Sequence, residues 1–189
     1  TGFVARMQAL NLPNCVFIDN TASSLLPEYY ERIFASSISI VTCNKIANSG
    51  TYRQYRLLKD TARRQGVDFF YETNVGAGLP IVRVLRDLML SGDRIIRIEA
   101  ILSGTISYIF NHYIGMAAFH GTVRRAQELG YTEPDPRDDL NGADFMRKML
   151  ILARDAGYPL EPEDVMLEPI MPASCLQAAD VPAFYQALE

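Results

Sequence analysis

Over its first hundred residues the chain alternates short apolar runs with amphipathic stretches, and few folds accept that rhythm. Residues 15–19 (CVFID) and 38–42 (ISIVT) are continuous and rich in β-branched side chains. Such runs suit strands of a parallel sheet buried on both faces. Residues 27–35 and 52–65 carry helical periodicity, the second with Arg and Lys on its outer face. A third short strand is predicted over 68–71 and a helix over 79–90, where Pro80 falls in a first turn that has no use for its missing N–H. The alternation predicts right-handed βαβ units with helices covering both faces of the sheet.

After Gly92 the pattern changes. Residues 93–103 (DRIIRIEAILS) are longer and partly alternating, which predicts a strand of a second sheet. Helices are predicted over 106–119, 122–129 and 142–156, the last two separated by a turn-rich acidic stretch at 130–141. The fold class expected is α/β. Residues 1–75 form the C-terminal part of a doubly wound nucleotide-binding sheet. Residues 76–189 form an α+β substrate-binding and dimerisation domain, with the boundary falling near 71–78.

Composition narrows the function classes. Apolar residues make up 49% of the chain, enough for a core, and 18 basic against 22 acidic residues give no electrostatic case for nucleic acid or anionic membrane. No apolar run reaches the ~20 residues of a membrane-spanning helix. Cys15, Cys43 and Cys175 are too few and too scattered for a disulfide framework or a zinc site, and read as reduced thiols of a cytoplasmic protein. The opening TGFVARMQALNLPN has no signal-peptide pattern, and both ends read as cuts in a longer protein.

Three constellations are candidates for chemistry. The densest is 130–148 (GYTEPDPRDDLNGADFMRK), where Glu133, Asp135, Asp138, Asp139 and Asp144 crowd a loop stiffened by Pro134 and Pro136. Asn141 is placed to cap the next helix, on which Asp144 and Lys148 stand at i and i+4 on one face. A capped helix with a solvated acidic loop accounts for the pattern equally. A lysine held beside a carboxylate is also a proton donor for a carbonyl oxygen.

In 71–81 (YETNVGAGLPI) the glycines imitate a dinucleotide fingerprint, but Ile81 stands where its third glycine belongs. The same turn can instead converge carbonyls near Glu72 around a hard cation, or be a plain strand-to-helix turn. Finally, DNTASS (19–24) and TCNK (42–45) end two predicted strands, where open α/β sheets bind ligands, though ordinary loop capping explains each alone. His112 and His120 lack metal-ligand spacing, and Cys43 lacks a histidine partner for nucleophilic work.

ELGYTEPDPRDDLNGADFMRK resembles the signature of homoserine dehydrogenases, and VFIDNTASS, VTCNK, YETNVGAGLPI, ILSGTISYIF and EPIMPA resemble successive segments of that family in the same order. The likeness is closest to the dehydrogenase part of bifunctional aspartokinase–homoserine dehydrogenases. It implies NADP- or NAD-dependent interconversion of homoserine and aspartate 4-semialdehyde, in a homodimer, with an aspartokinase domain possible upstream. The resemblance makes Lys148 the proton donor and sets Lys45 near the reacting carbons. It gives the substrate to Glu133, Asp139 and Asp144, and the dinucleotide to Asn20, Thr21, Lys45 and the Gly130 backbone. Sodium falls to Glu72 with the carbonyls of Val75, Ala77 and Leu79. No G-x-G-x-x-G loop occurs in the chain, and Ala22, Cys43 and Ile46 depart from the family pattern.

Two other readings follow from the residues. One is a non-catalytic fragment that keeps only a folded substrate-binding and dimerisation core. The other is a metal hydrolase built on Asp135, Asp138 and Asp139.

Overall fold

A computed structural model describes residues 2–10, 12–115 and 118–189. Three parallel strands, β1 (Val16–Asp19), β2 (Ser39–Thr42) and β3 (Phe69–Phe70), form a sheet in the order β1-β2-β3. Helices α1 (Gly2–Leu10), α2 (Tyr30–Phe34), α3 (Ile46–Ser49), α4 (Tyr52–Gln65) and α5 (Ile81–Leu90) accompany it. Helices α6 (Gly104–His112), α7 (Phe119–Glu128), α8 (Arg137–Leu140), α9 (Ala143–Asp155), α10 (Ala173–Leu176) and α11 (Val181–Ala187) follow.

Register explains how the sheet packs. Phe17 pairs with Ile40 and Ile40 with Phe69, so these three residues share one face, and all three are buried. Tyr30 and Phe34 of α2 meet Phe69 edge-on at 6.0 and 5.2 Å between ring centroids, a favoured aromatic geometry. Leu58 and Ala62 of α4 are buried in the same core. The opposite face differs from expectation. Ile18, Val41 and Phe70 share it and are 62%, 37% and 50% exposed, so among the described residues the sheet is covered on one side. Continuous apolar runs signal burial on both faces, but only the alternate residues of β1 and β2 are buried.

Residues 93–103 are not a strand. Ile96 and Ile101 are 90% and 72% exposed, and the described residues supply no neighbouring strand to complete the ladder. The helix predicted over 106–119 is α6, which ends at His112; Met116 and Ala117 lie outside the described residues. The acidic stretch also contains a helix, α8, started by Pro136.

Two compact units emerge, and they do not follow chain order. The first runs to Ile96 and resumes over Arg147–Val165; the second comprises Arg97–Met146 and Met166–Glu189. The second unit packs Ile109, Val123, Ala126, Leu140, Met171, Cys175 and Phe184 into its own core. Among the described residues no helix is long and apolar enough to cross a membrane.

Candidate functional site

At the carboxyl ends of β1 and β2, Asp19 organises a buried network. Its carboxylate accepts the Tyr30 hydroxyl at 2.5 Å, the Thr21 N–H and hydroxyl at 2.8 and 2.7 Å, and the Asn44 amide at 3.2 Å. Burial pushes the Asp19 carboxyl up, but these donors outweigh it and hold the group below the usual carboxylate range. The same partnership and burial raise the Tyr30 phenol well above its ordinary value. Asn44 also donates to the Ser23 carbonyl at 2.8 Å, which fixes the loop carrying Asn20 and Thr21. Both residues are exposed at the strand ends, where a dinucleotide can reach them.

Lys45 is the N-cap of α3, and its carbonyl accepts the N–H groups of Asn48 and Ser49 at 3.1 and 3.0 Å. Lys148 is half-buried on α9, four positions after Asp144. Both lysines belong to the first compact unit.

Glu72 follows β3 and receives the N–H groups of Val82 and Arg83, each at 2.9 Å, one on each carboxylate oxygen. It therefore caps the first turn of α5, where an anion also suits the helix dipole. Each oxygen keeps lone pairs for a further partner. The turn between them bends through Gly76 (φ 80°) and Ala77 (φ 51°). A Cβ at position 76 would lie 2.2 Å from Ile81 Cδ1, the far end of that side chain, so the left-handed φ and the need for Ile81 to turn away both favour glycine in this turn. Val75, Ala77 and Leu79 lie along it.

The acidic loop belongs to the second unit and is held from several directions. Asp139 accepts the Glu133 N–H at 2.8 Å. The Thr105 hydroxyl lies 2.9 Å from the other Asp139 oxygen and 2.6 Å from the Tyr131 carbonyl, sharing one proton between them. Arg137 binds both oxygens of Asp135, with Nε at 2.9 and 3.0 Å, and also donates to the Ala178 carbonyl. That guanidinium holds the Asp135 carboxyl below its ordinary value. Glu133 itself is exposed, while Gly130 closes the turn after α7 by donating to the Gln127 carbonyl at 2.9 Å.

The structure thus joins Thr21 to the Asp19 network with Asn20 beside it on the same loop, Glu72 to its turn, and Glu133 to Asp139. Among the described residues no three His, Cys, Asp or Glu side chains are grouped to hold a metal, and Asp135 and Asp139 are committed to other partners. The hydrolase reading loses its ligand set.

Sequence reasoning missed Thr105, Arg137 and a buried cluster of Tyr55, Lys59, Tyr71 and Asp155. Of these, only Arg137 carries a local signal: it stands two residues from its partner Asp135 in the acidic stretch.

Comparison with known proteins supplies the wider setting. Residues 80–187 match the homoserine dehydrogenase family, and residues 3–72 match the homoserine dehydrogenase NAD-binding domain. A bifunctional aspartokinase/homoserine dehydrogenase of Zea mays is 45% identical over 176 residues, which is 93% of this chain and 19% of that protein. A homoserine dehydrogenase of Paracoccidioides brasiliensis is 42% identical over 182 residues, covering 92% of this chain and 49% of that protein. A Candida auris crystal structure of unknown function superposes with a TM-score of 0.92 at 36% identity, over 99% of this chain and 54% of that one. A hyperthermophilic archaeal homoserine dehydrogenase in complex with NADPH gives a TM-score of 0.67 at 30% identity, over 80% of this chain and 48% of that one. The chain spans at most about half the length of these relatives. With more than half of its residues matching the substrate-domain signature and most of the rest matching the nucleotide-binding one, the chain belongs to the homoserine dehydrogenase family.

Proposed function

We propose that this chain carries the substrate-binding and proton-transfer machinery of an NAD(P)-dependent homoserine dehydrogenase, which interconverts homoserine and aspartate 4-semialdehyde. The observation that carries the reading is the placement of Asp144 and Lys148 one helical turn apart on α9, in a sequence matching the family on both of its parts. Residues 1–75 act as part of the nucleotide-binding domain and 76–189 as the substrate domain.

When bound, the dinucleotide supplies or accepts the hydride. Hydride arrival at an aldehyde carbon builds negative charge on its oxygen. The Lys148 ammonium stabilises that charge and donates the proton, and the neutral amine takes a proton from the alcohol in the reverse direction. Lys45 adds a second positive charge near the reacting carbons. Glu133 and Asp144 bind the substrate's ammonium group, and Asp139 sets the Glu133 backbone from within the same pocket. Asn20, Thr21, Lys45 and the Gly130 backbone contact the dinucleotide; the anchored 19–23 loop supports that role by presenting its polar residues without further ordering.

A sodium ion is held by Glu72 and the carbonyls of Val75, Ala77 and Leu79. The spare lone pairs of Glu72 and the tight turn at Gly76 support it. The protein works as a cytoplasmic homodimer, and the bifunctional aspartokinase/homoserine dehydrogenase names of its relatives support the possibility of a fused aspartokinase domain.

Lys148→Ala tests the reading in the complete gene product that carries this sequence. Turnover should fall by about 10²–10⁴-fold, with unchanged circular dichroism and NADPH affinity. Turnover close to that of the unsubstituted protein would remove Lys148 from the mechanism.

A second reading concerns the 189 residues alone, as a folded core without catalysis. It rests on the absence of a G-x-G-x-x-G loop from the chain and on the bare apolar face at Ile18, Val41 and Phe70. A pyrophosphate needs such a loop and its helix N-terminus. Titration of this chain with NADPH should then give no saturable signal at micromolar concentrations, and tight binding would overturn it.

A further inference from the structure

Arg154 is the most deeply buried cation among the described residues, and every acceptor of its hydrogen bonds is backbone. Its side chain is 0% exposed. Nη1 donates to the Asn48 carbonyl at 2.9 Å, and Nη2 to the carbonyls of Gly50 and Leu160 at 2.7 and 2.9 Å. Nε reaches Leu160 again at 3.0 Å. Glu161 supplies a counter-charge at 3.7 Å, and the rings of Tyr52 and Tyr55 lie 5.8 and 5.5 Å from the guanidinium carbon. A guanidinium presents five donors in a fixed planar fork, so this pattern specifies geometry as well as charge.

Arg154 joins the elements that carry the two lysines, since it stands on one and its fork reaches the end of the other. Arg154 sits on α9, six residues beyond Lys148, a rise of about 9 Å along the helix. Its acceptors, Asn48 and Gly50, lie at the end of α3, whose N-cap is Lys45. The connection to Lys45 is short. The Asn48 N–H donates to the Lys45 carbonyl at 3.1 Å while the Asn48 carbonyl accepts from Arg154. Asn48 is also tied to the sheet, since its amide donates to Asn74 Oδ1 at 3.0 Å and the Asn74 amide donates to the Thr42 carbonyl at 3.2 Å. All of these residues belong to the first compact unit, so the relay runs within one folded body.

We infer that Arg154 is a positioning residue for the reaction: its fork fixes the separation between the backbone at Lys45 and the helix that carries Lys148. This deepens the reading of the two lysines given above and rests on it. Two groups that act on one small substrate must be held to within a fraction of an ångström, because a misplacement of about 1 Å can cost about 10²-fold in rate. Lysine cannot replace arginine here. An ammonium on a flexible stem keeps the charge but cannot hold three carbonyls in one plane.

The test is a double-mutant cycle in the complete gene product, with single-turnover hydride transfer and the KM for NADPH as readouts. Arg154→Lys should lower kcat by about 10–100-fold and change the KM for NADPH, which Lys45 shares with Asn20, Thr21 and Gly130, by much less. In a Lys148→Ala background it should cause little further loss, because the group it positions is gone. In the 189-residue chain, the same substitution should speed amide exchange at Asn48 and Gly50 while Leu58 stays protected.

A full, multiplied loss in the Lys148→Ala background would overturn the inference, as would unchanged kcat or unchanged exchange. Arg154→Gln serves as the second variant if Arg154→Lys does not fold. Failure of both to fold also counts against the inference, since it assigns the residue to stability alone. Full turnover in Lys148→Ala by itself would refute the reading of Lys148, which separates the two failures.

Discussion

The Tyr71 hydroxyl donates to Asp155 Oδ1 across 2.6 Å, tying the residue that follows β3 to the last residue of α9. Tyr55 donates to the same oxygen at 2.9 Å and Lys59 at 3.0 Å, while the Lys59 ammonium also bonds the Tyr71 hydroxyl. Arg86 and Lys59 each lie 4.5 Å from the Tyr71 ring centroid. One carboxylate oxygen thus collects three donors in a site where α4, the segment after β3 and α9 meet.

Burial pushes the Lys59 ammonium down to about 8, against the pull of Asp155, with Arg86 adding to the depression. The unfolded chain therefore binds more protons than the folded one between the two values, and stability rises with pH across that window. Relative to Lys59→Met, the unsubstituted chain should gain roughly 2–3 kcal/mol between about pH 8 and pH 10.5. Urea denaturation of both proteins at several pH values measures this. A difference that stays flat would mean that the ammonium is not buried in solution.

Thr105→Val removes the hydroxyl that lies between Asp139 and the Tyr131 carbonyl while conserving shape. Leaving these acceptors short of a donor should cost about 1–2 kcal/mol. Since Asp139 also holds the Glu133 N–H, the loop loosens at the proposed substrate carboxylate. The KM for homoserine should then rise about tenfold, one lost hydrogen bond's worth, with the KM for NADPH unchanged. Thr105→Ser should restore both, and steady-state kinetics in the complete gene product checks it.

Some of this was legible in the sequence and some was not, for identifiable reasons. The helix expected over 52–65 is α4 to the residue. It carries its own punctuation, with Thr51 accepting the Gln54 N–H at the start and Gly66 left-handed at the end. The strands of the sheet were readable as apolar runs, but their bare face was not, because one-sided coverage depends on which helices the chain supplies. Residues 93–103 look like a strand, but among the described residues no second strand pairs with them. The roles of Arg154 and Asp155 leave little local trace: apart from Leu160 and Glu161 their partners lie 84 to 106 residues away, and the hydrogen-bond acceptors of Arg154 are backbone carbonyls common to every residue type. The acidic signature, by contrast, is dense in short-range chemistry, which is why its carboxylates were found and Thr105 was not.

Glu72 has one role read from geometry and one proposed, and substitutions separate them. Glu72→Ala deletes the cap on α5 and should cost about 1–2 kcal/mol. Glu72→Gln keeps an oxygen for one of the two N–H groups, so it should retain most of the stability, yet it removes the charge that favours a cation. Activity that depends on sodium in the unsubstituted protein should lose that dependence in Glu72→Gln. Persistence of the full sodium effect would leave Glu72 as a helix cap alone.

Gly142 stands between α8 and α9 with φ at 78°, and a Cβ there would lie 2.8 Å from Leu167 Cδ1. Two penalties therefore oppose Gly142→Ala, and they differ in kind. The left-handed backbone costs a residue with a Cβ about 1–2 kcal/mol wherever its neighbours move. The contact is with the far end of a side chain that is 43% exposed and has room to turn away. Backbone strain should therefore dominate. Gly142→Ala should lower stability by about 1–2 kcal/mol, and adding Leu167→Ala should recover little of the strain once the effect of Leu167→Ala alone is subtracted. Denaturant melts of the four proteins in this cycle give the coupling. A large recovery would show that the crowding at Leu167, and not the backbone of the turn, is what demands glycine at the start of the helix bearing Asp144 and Lys148.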